Sequence, residues 1–174
     1  LLLNREVADH LRQIEAFFAA TPVSCDADLE RLVEQIMPDH ATLEHVRRVA
    51  ALATNMALQL GIRNPELVNI QRAALLHDLG RLATPVGILY KPTRLSEAEI
   101  AIVRQQPRLV ADILVRQPFL APAADMVRSI YEHVDGTGYP FGLRAEEISR
   151  GSRIIAVADA LDAMTHHRMY RDSR

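Results

Sequence analysis

Apolar side chains recur at three- and four-residue spacing along almost the whole chain, and one run of turn formers, Asp135-Gly136-Thr137-Gly138-Tyr139-Pro140, breaks that rhythm. The spacing is that of amphipathic helices, each with one face to bury. No stretch of useful length alternates apolar and polar residues as a half-buried strand would. These patterns predict an all-α bundle interrupted by one unusual loop.

Local signals place the helices. Val7, Leu11, Ile14, Phe17 and Phe18 form a stripe from Asn4 to Ala20, closed by Thr21-Pro22. A second helix begins near Asp26 and stops before Pro38, and a longer one runs from about His40 to Leu60 with Gly61 as its stop. Asn64-Pro65-Glu66 reads as a cap, a proline at the first helical position and an early acid, opening a helix toward His77. Pro85, Gly87 and Pro92 mark a loop, and Ser96 through Glu99 has the form of a capping box. Pro107 is expected to separate that helix from the next. Further helices are expected from about Ala123 to Val134 and from about Arg153 to Met164.

Composition narrows the class of function. Twenty basic against 22 acidic side chains leave a formal charge of -2, so no bulk field draws the chain to nucleic acid or to an anionic membrane. Any anionic ligand must be held locally. The single cysteine, Cys25, has no internal partner, and neither a signal peptide nor a long apolar run is present, so a reducing, cytoplasmic setting is expected. Because the chain starts at Leu1 rather than Met, it reads as a piece of a longer protein, with its C-terminal end also truncated.

His45, His77, Asp78 and Asp159 are the first candidates for chemistry. Imidazole nitrogens and carboxylate oxygens are what zinc, iron and manganese accept, and separate helices of a bundle can converge on one ion. His77-Asp78 follows the apolar tract Ala73-Ala74-Leu75-Leu76, where two ionisable groups need partners if buried. Taken singly, a histidine on a helix is more often a packed or surface residue than a ligand.

Together these residues carry a resemblance. His45, then Leu75-Leu76-His77-Asp78-Leu79-Gly80, then Val157-Ala158-Asp159, resembles the H…HD…D signature of HD-domain phosphohydrolases. The tract from Glu132 to Pro140 resembles the HHExxDGxGYP element of the HD-GYP subgroup. The segment Arg153 to Thr165 and the run Arg168-Met169-Tyr170-Arg171 are similar to that subgroup as well. The likeness spans His45 to Arg171 and implies a helical bundle of the HD-domain type with a Gly-Tyr-Pro loop. It divides the chain into an N-terminal helical segment, residues 1–39, and an HD-GYP-like domain, residues 40–174. Members of the subgroup bind two or three metal ions, commonly iron or manganese, and hydrolyse cyclic-di-GMP, the cations activating water and neutralising charge on the phosphate oxygens.

Carried over residue by residue, the resemblance is uneven. It assigns metal ligation to His45, His77, Asp78 and Asp159, catalysis to Asp78 and Arg81, and substrate binding to Arg81, Lys91, Asp135, Gly136, Tyr139, Pro140 and Arg153. Arg81 stands where a lysine is usual, which replaces a point charge with a planar fork. Val110 stands where a glycine is usual, and Ala41 stands in place of an acid that would hold a third ion. The three histidines that hold the second metal align with Gln106, Ile130 and Tyr131. Isoleucine has no lone pair, and an un-ionised tyrosine is a poor ligand. The expected cofactor is thus one divalent transition metal ion, iron, manganese or zinc, with no dinuclear centre. His133, on a helix continuing past Tyr131, is expected to face elsewhere, and His166-His167 to be solvated.

Three readings follow. In the first, the domain binds cyclic-di-GMP or a related nucleotide, or docks to a diguanylate cyclase domain, with little or no hydrolysis. In the second, it is a phosphodiesterase or nucleotide phosphohydrolase working with one ion. In the third, it is a helical dimerisation domain with vestigial ligands and no metal. Candidate partners are accordingly the nucleotide, a diguanylate cyclase domain and a second copy of the chain, with neither nucleic acid nor membrane.

Overall fold

A computed structural model of the chain describes residues 2–166, with side chains from residue 5 onward. His167 and the Arg168–Arg171 run lie outside the described residues. Among the described residues eight α-helices form: α1 Leu2–Ala20, α2 Asp26–Ile36, α3 His40–Gln59, α4 Glu66–Leu76, α5 Val86–Leu89, α6 Glu97–Leu114, α7 Ala121–Val127 and α8 Arg150–Thr165. A 3-10 segment, His77–Ala83, continues directly from α4, and a short one spans Ala145–Glu147. Among the described residues no strand forms, and one isolated bridge joins Asp135 to Arg144.

α4 is the central helix. Ile70, Ala73, Ala74, Leu75 and Leu76 are all buried on it, and it packs against α2, α3, α7 and α8. α3 meets α4 and α8 along Val46, Val49, Ala50, Ala53 and Ala57, a stripe of small side chains that lets the helix axes approach closely. Asp39 starts α3 by accepting the Thr42 N–H at 2.7 Å. Ile14 and Phe18 of α1 join the same core as the later helices, and α1 lies on the 3-10 segment. No helix of the described residues is long and apolar enough to cross a membrane.

Several boundaries differ from the sequence reading. α6 runs unbroken through Pro107. The missing N–H costs a hydrogen bond, but Gln106, Pro107, Val110, Ala111, Ile113 and Leu114 are all buried, against the 3-10 segment and α7, and this packing holds the helix together. α7 ends at Val127 rather than Val134, because the residues after it turn into the loop that Glu132 anchors. α8 starts three residues earlier than expected, capped by Ser149, whose hydroxyl accepts from the Ser152 N–H at 3.0 Å. α4 begins at Glu66 with Pro65, not Asn64, as its cap, and the Pro85–Pro92 loop contains the single turn α5.

Candidate metal centre

α3, the 3-10 segment that follows α4, and α8 bring four side chains to one point. One ligand atom each from His45, His77 and Asp78 lie within 4.8 Å of one another, and all three residues are buried. From α8, Asp159 Oδ1 stands 3.3 Å from His45 Nε2 and 3.9 Å from His77 Nε2. Asp78 Oδ2 is 3.9 Å from His45 Nε2, and Asp78 Oδ1 is 4.0 Å from His77 Nε2. The imidazoles meet edge to face with centroids 5.3 Å apart.

Both imidazoles are oriented from behind. His45 Nδ1 lies 2.7 Å from Asp162 Oδ2, and Arg48 donates to both oxygens of the same carboxylate, at 2.7 and 3.1 Å. His77 Nδ1 lies 2.7 Å from the Ala74 carbonyl, which can only accept, so Nδ1 carries a proton and the neutral ring presents its lone pair at Nε2. That nitrogen is buried and has no hydrogen-bond partner in the protein. Two nitrogen lone pairs converging with two carboxylates fit a divalent transition metal ion, and the orphaned Nε2 of His77 is the atom whose burial such an ion would explain.

The electrostatics favour a cation at the same place. Burial pulls the His45 imidazolium down, but the carboxylates of Asp159, Asp162 and Asp78 more than offset it, and its pKa lies above the ordinary value. Burial would raise Asp162, yet the Arg48 guanidinium and His45 hold it down at about 2.

The positions aligned with second-metal ligands are arranged differently. A cavity of about 370 Å³ lies beside Asp78, with Arg81, Gln106, Tyr131 and Tyr139 among its lining residues. Gln106 is 5% exposed, and neither its Oε1 nor its Nε2 has a partner in the protein. Ile130 is packed in the hydrophobic core. Tyr131 stacks on Tyr139 with ring centroids 5.4 Å apart, and burial, then the nearby carboxylates of Asp78 and Asp159, keep its phenol well above the ordinary pKa. Such a phenol stays protonated and is a poor ligand.

Of the remaining sequence candidates, Arg81 is beside the cluster, donating to Asp78 Oδ2 at 3.1 Å. Lys91 is held by Glu99 at 2.7 Å, in the capping box of α6. Asp135 accepts from the Thr137 backbone at 2.9 Å and shapes the loop. Gly136 has φ +80, and at Gly138 a Cβ would fall 2.3 Å from the His133 backbone nitrogen, so both positions need glycine. Pro140 follows a cis bond and, with Tyr139 and Arg104, borders a neighbouring depression. Arg153 pairs with Glu146 at 3.4 Å. His133 is not on a helix, as the sequence reading had it; it is exposed in the loop and lies 3.0 Å from Thr137 Oγ1. His166 is exposed but has a partner, Asp162 Oδ1, at 3.1 Å.

Two groups with evident work at the centre were not singled out for that work from sequence. Asp162 and Arg48 hold His45, and the signal was there: Asp162 follows Asp159 by three residues on one helix, and Arg48 follows His45 by three on another. Buried Glu132, at the start of the Gly-Tyr-Pro tract, accepts the backbone N–H of Phe141 at 2.6 Å and of Leu143 at 2.9 Å through its carboxylate, closing the loop onto the bundle.

Comparison with known proteins gives consistent matches. The HD domain family matches residues 31–174. A cyclic di-GMP phosphodiesterase of Pseudomonas aeruginosa is 39% identical over 141 residues, covering 80% of this chain and 34% of that protein. The 3'3'-cGAMP-specific phosphodiesterase 3 of Vibrio cholerae is 40% identical over 130 residues, covering 75% of this chain and 28% of that protein. The chain thus spans about a third of the length of these relatives. The structure of an HDG"Y"P protein from Bdellovibrio bacteriovorus aligns with a TM-score of 0.61 at 20% identity, covering 90% of this chain and 56% of that chain, a likeness of fold.

Proposed function

The chain belongs to the HD domain family, on its HD-GYP branch, and from that premise we propose that it binds a cyclic dinucleotide beside one divalent transition metal ion and hydrolyses it little or not at all. Cyclic-di-GMP is the first candidate ligand, because relatives from several bacteria are named for its cleavage, and 3'3'-cGAMP is the second. The observation that carries the reading is the contrast across Asp78. On one side stand His45, His77 and Asp159, with the Nε2 of His77 buried and unpartnered; on the other stand an amide, a core isoleucine and a protonated phenol.

His45, His77, Asp78 and Asp159 would hold the ion, which when bound supplies Lewis acidity and positive charge toward a phosphate. Asp162 and the Ala74 carbonyl fix the two imidazoles so that each presents Nε2. Two carboxylates balance a divalent ion, and Arg81 then leaves one positive charge, which suits the single negative charge of a phosphodiester. Stacked Tyr131 and Tyr139 offer an aromatic edge to the same cavity, and the Arg104 guanidinium lies 5.8 Å from the Tyr139 ring centre. Among the described residues no second group of ligands stands beside Asp78 to position a nucleophile between two cations, which is why turnover is expected to be low.

The second reading is hydrolysis with one ion, and the intact cluster with Arg81 beside Asp78 favours it. Elemental analysis of the purified chain together with a cleavage assay in manganese separates the two. One ion per chain, tight cyclic-di-GMP binding and negligible product support binding without turnover. Robust cleavage abolished by Asp78→Ala establishes the enzyme instead, and the absence of any bound metal overturns both.

A further inference from the structure

We propose that Gln106 is a specificity-determining residue whose side-chain amide reads two adjacent groups of the ligand, donating from Nε2 to a phosphodiester oxygen and accepting at Oε1 from the neighbouring ribose 2'-hydroxyl. The inference rests on the cyclic-dinucleotide reading above and names what the cavity beside Asp78 selects. Gln106 is 5% exposed, and neither polar atom of its amide has a partner in the protein. A buried amide without partners is costly, so a position chosen for folding alone would carry an apolar side chain. Its helix neighbours Val103, Pro107 and Val110 are all apolar. The group is nevertheless held firmly at the cavity wall. A Cβ on Gly80 would come within 3.0 Å of Gln106 Cβ, so α6 sits close on the 3-10 segment that carries His77 and Asp78.

The chemistry of the amide selects its partners. It presents one acceptor and a pair of donors side by side, and it is neutral at every pH of interest. A phosphodiester oxygen can only accept, so it takes the N–H. A ribonucleotide places a hydroxyl, which can donate, next to its 3'-phosphate. A 2'-deoxy ligand lacks that hydroxyl and leaves Oε1 buried and unpaired, the situation in which sites built for a hydrogen bond discriminate most strongly. An amide donor also holds the phosphate without the full charge of a second cation, in keeping with binding that outlasts chemistry.

The test measures, by calorimetry in saturating manganese, the affinity of the wild-type chain and of Gln106→Met for cyclic-di-GMP and for its 2'-deoxy analogue. Methionine keeps the length and unbranched shape of glutamine and removes both hydrogen-bonding atoms. The wild type should prefer the ribo ligand by about tenfold or more, in line with one buried polar group left unpaired. Gln106→Met should bind cyclic-di-GMP about 10- to 100-fold more weakly, with a ribo-to-deoxy ratio near one. Its manganese content should be unchanged, and its unliganded Tm should be equal or higher, because a structural role would instead lower it. Gln106→Leu repeats the measurement with a branched side chain. A variant that keeps both the affinity and the ratio overturns the inference alone. Failure of the wild type to bind either ligand overturns the cyclic-dinucleotide reading with it.

Discussion

Asp162 touches none of the atoms an ion would meet through its own carboxylate, yet Asp162→Asn should weaken metal binding by about 10- to 100-fold, the usual effect of removing a carboxylate from behind a ligating imidazole. The structure shows where that comes from. The Asp162 carboxylate accepts from His45 Nδ1 at 2.7 Å and from Arg48 at 2.7 and 3.1 Å, and exposed His166 Nδ1 lies 3.1 Å from its Oδ1, so both buried-side neighbours are donors. Asparagine offers one acceptor oxygen and one NH2 in its place. If the amide oxygen serves His45, the NH2 faces a guanidinium; if it serves Arg48, the NH2 faces Nδ1, which is then driven to the tautomer with its proton on Nε2, the atom needed for the ion. A tenfold to hundredfold loss corresponds to about 1.4–2.8 kcal/mol. Because the carboxyl group is held down at about 2, the wild type keeps its charge throughout pH 5–8, and the comparison is of charged with neutral across that whole range. Manganese or zinc affinity by competition with a chelating dye gives the magnitude, and long-range proton–nitrogen spectra of the imidazoles report the tautomer. A folded Asp162→Asn chain with affinity within twofold of wild type, and His45 still protonated on Nδ1, would refute the reasoning.

Glu132→Ala should free the Gly-Tyr-Pro loop, removing two charge-assisted hydrogen bonds for a cost of about 2–3 kcal/mol, read as lost hydrogen-exchange protection at Phe141 and Leu143 with α3 and α4 still protected. Installing histidines at all three second-site positions, Gln106→His, Ile130→His and Tyr131→His, should raise metal content toward two per chain only if the fold tolerates it. Ile130→His alone should destabilise by about 2 kcal/mol or more, because that side chain is 2% exposed within the core, and calorimetric melting of the single variant checks this. Glu99, held at about 2 by Lys91 and by the backbone and hydroxyl of Ser96, has a depressed folded-state pKa. Its contribution is therefore complete above the ordinary carboxylate value and lost as pH falls from there toward 2. Melting curves of wild type and Glu99→Gln between pH 2 and 6 should converge at the acid end; parallel curves would contradict it.

Much of the fold was legible because its signals are local. The capping box at Ser96 and Glu99 and the glycine stop at Gly61 lie within a few residues of the helix ends they mark. Pro107 misled, since what keeps α6 continuous is burial against the 3-10 segment and α7, contacts between residues distant in sequence. The end of α7 misled for a similar reason: Glu132 is drawn out of helix by backbone groups of Phe141 and Leu143, nine and eleven residues on. At the centre, His45, His77, Asp78 and Asp159 carried little weight singly and were joined by a family pattern, and the structure brings the four together. Asp162 is not legible in that pattern, which specifies ligands and not what stands behind them. Gln106 was legible as a missing histidine; that its amide is buried and unpartnered depends on how α6 seats against Gly80.

The change of winding at His77 has a consequence of angular phase. An α-helix advances about 100° per residue, so a side chain three positions on points about 60° short of a full turn, whereas a 3-10 helix of three residues per turn brings it back into line. Asp78 and Arg81 are three apart inside the tighter segment, and the guanidinium stands over the carboxylate at 3.1 Å. The backbone thus works as a phase-setter, delivering an acid toward the cluster and a base in register with it from a single short stretch. A change that let α4 keep its own pitch past Leu76 would re-aim the pair relative to the cluster by about 20° per residue, with the contact between the two preserved and every residue of the site still in the chain.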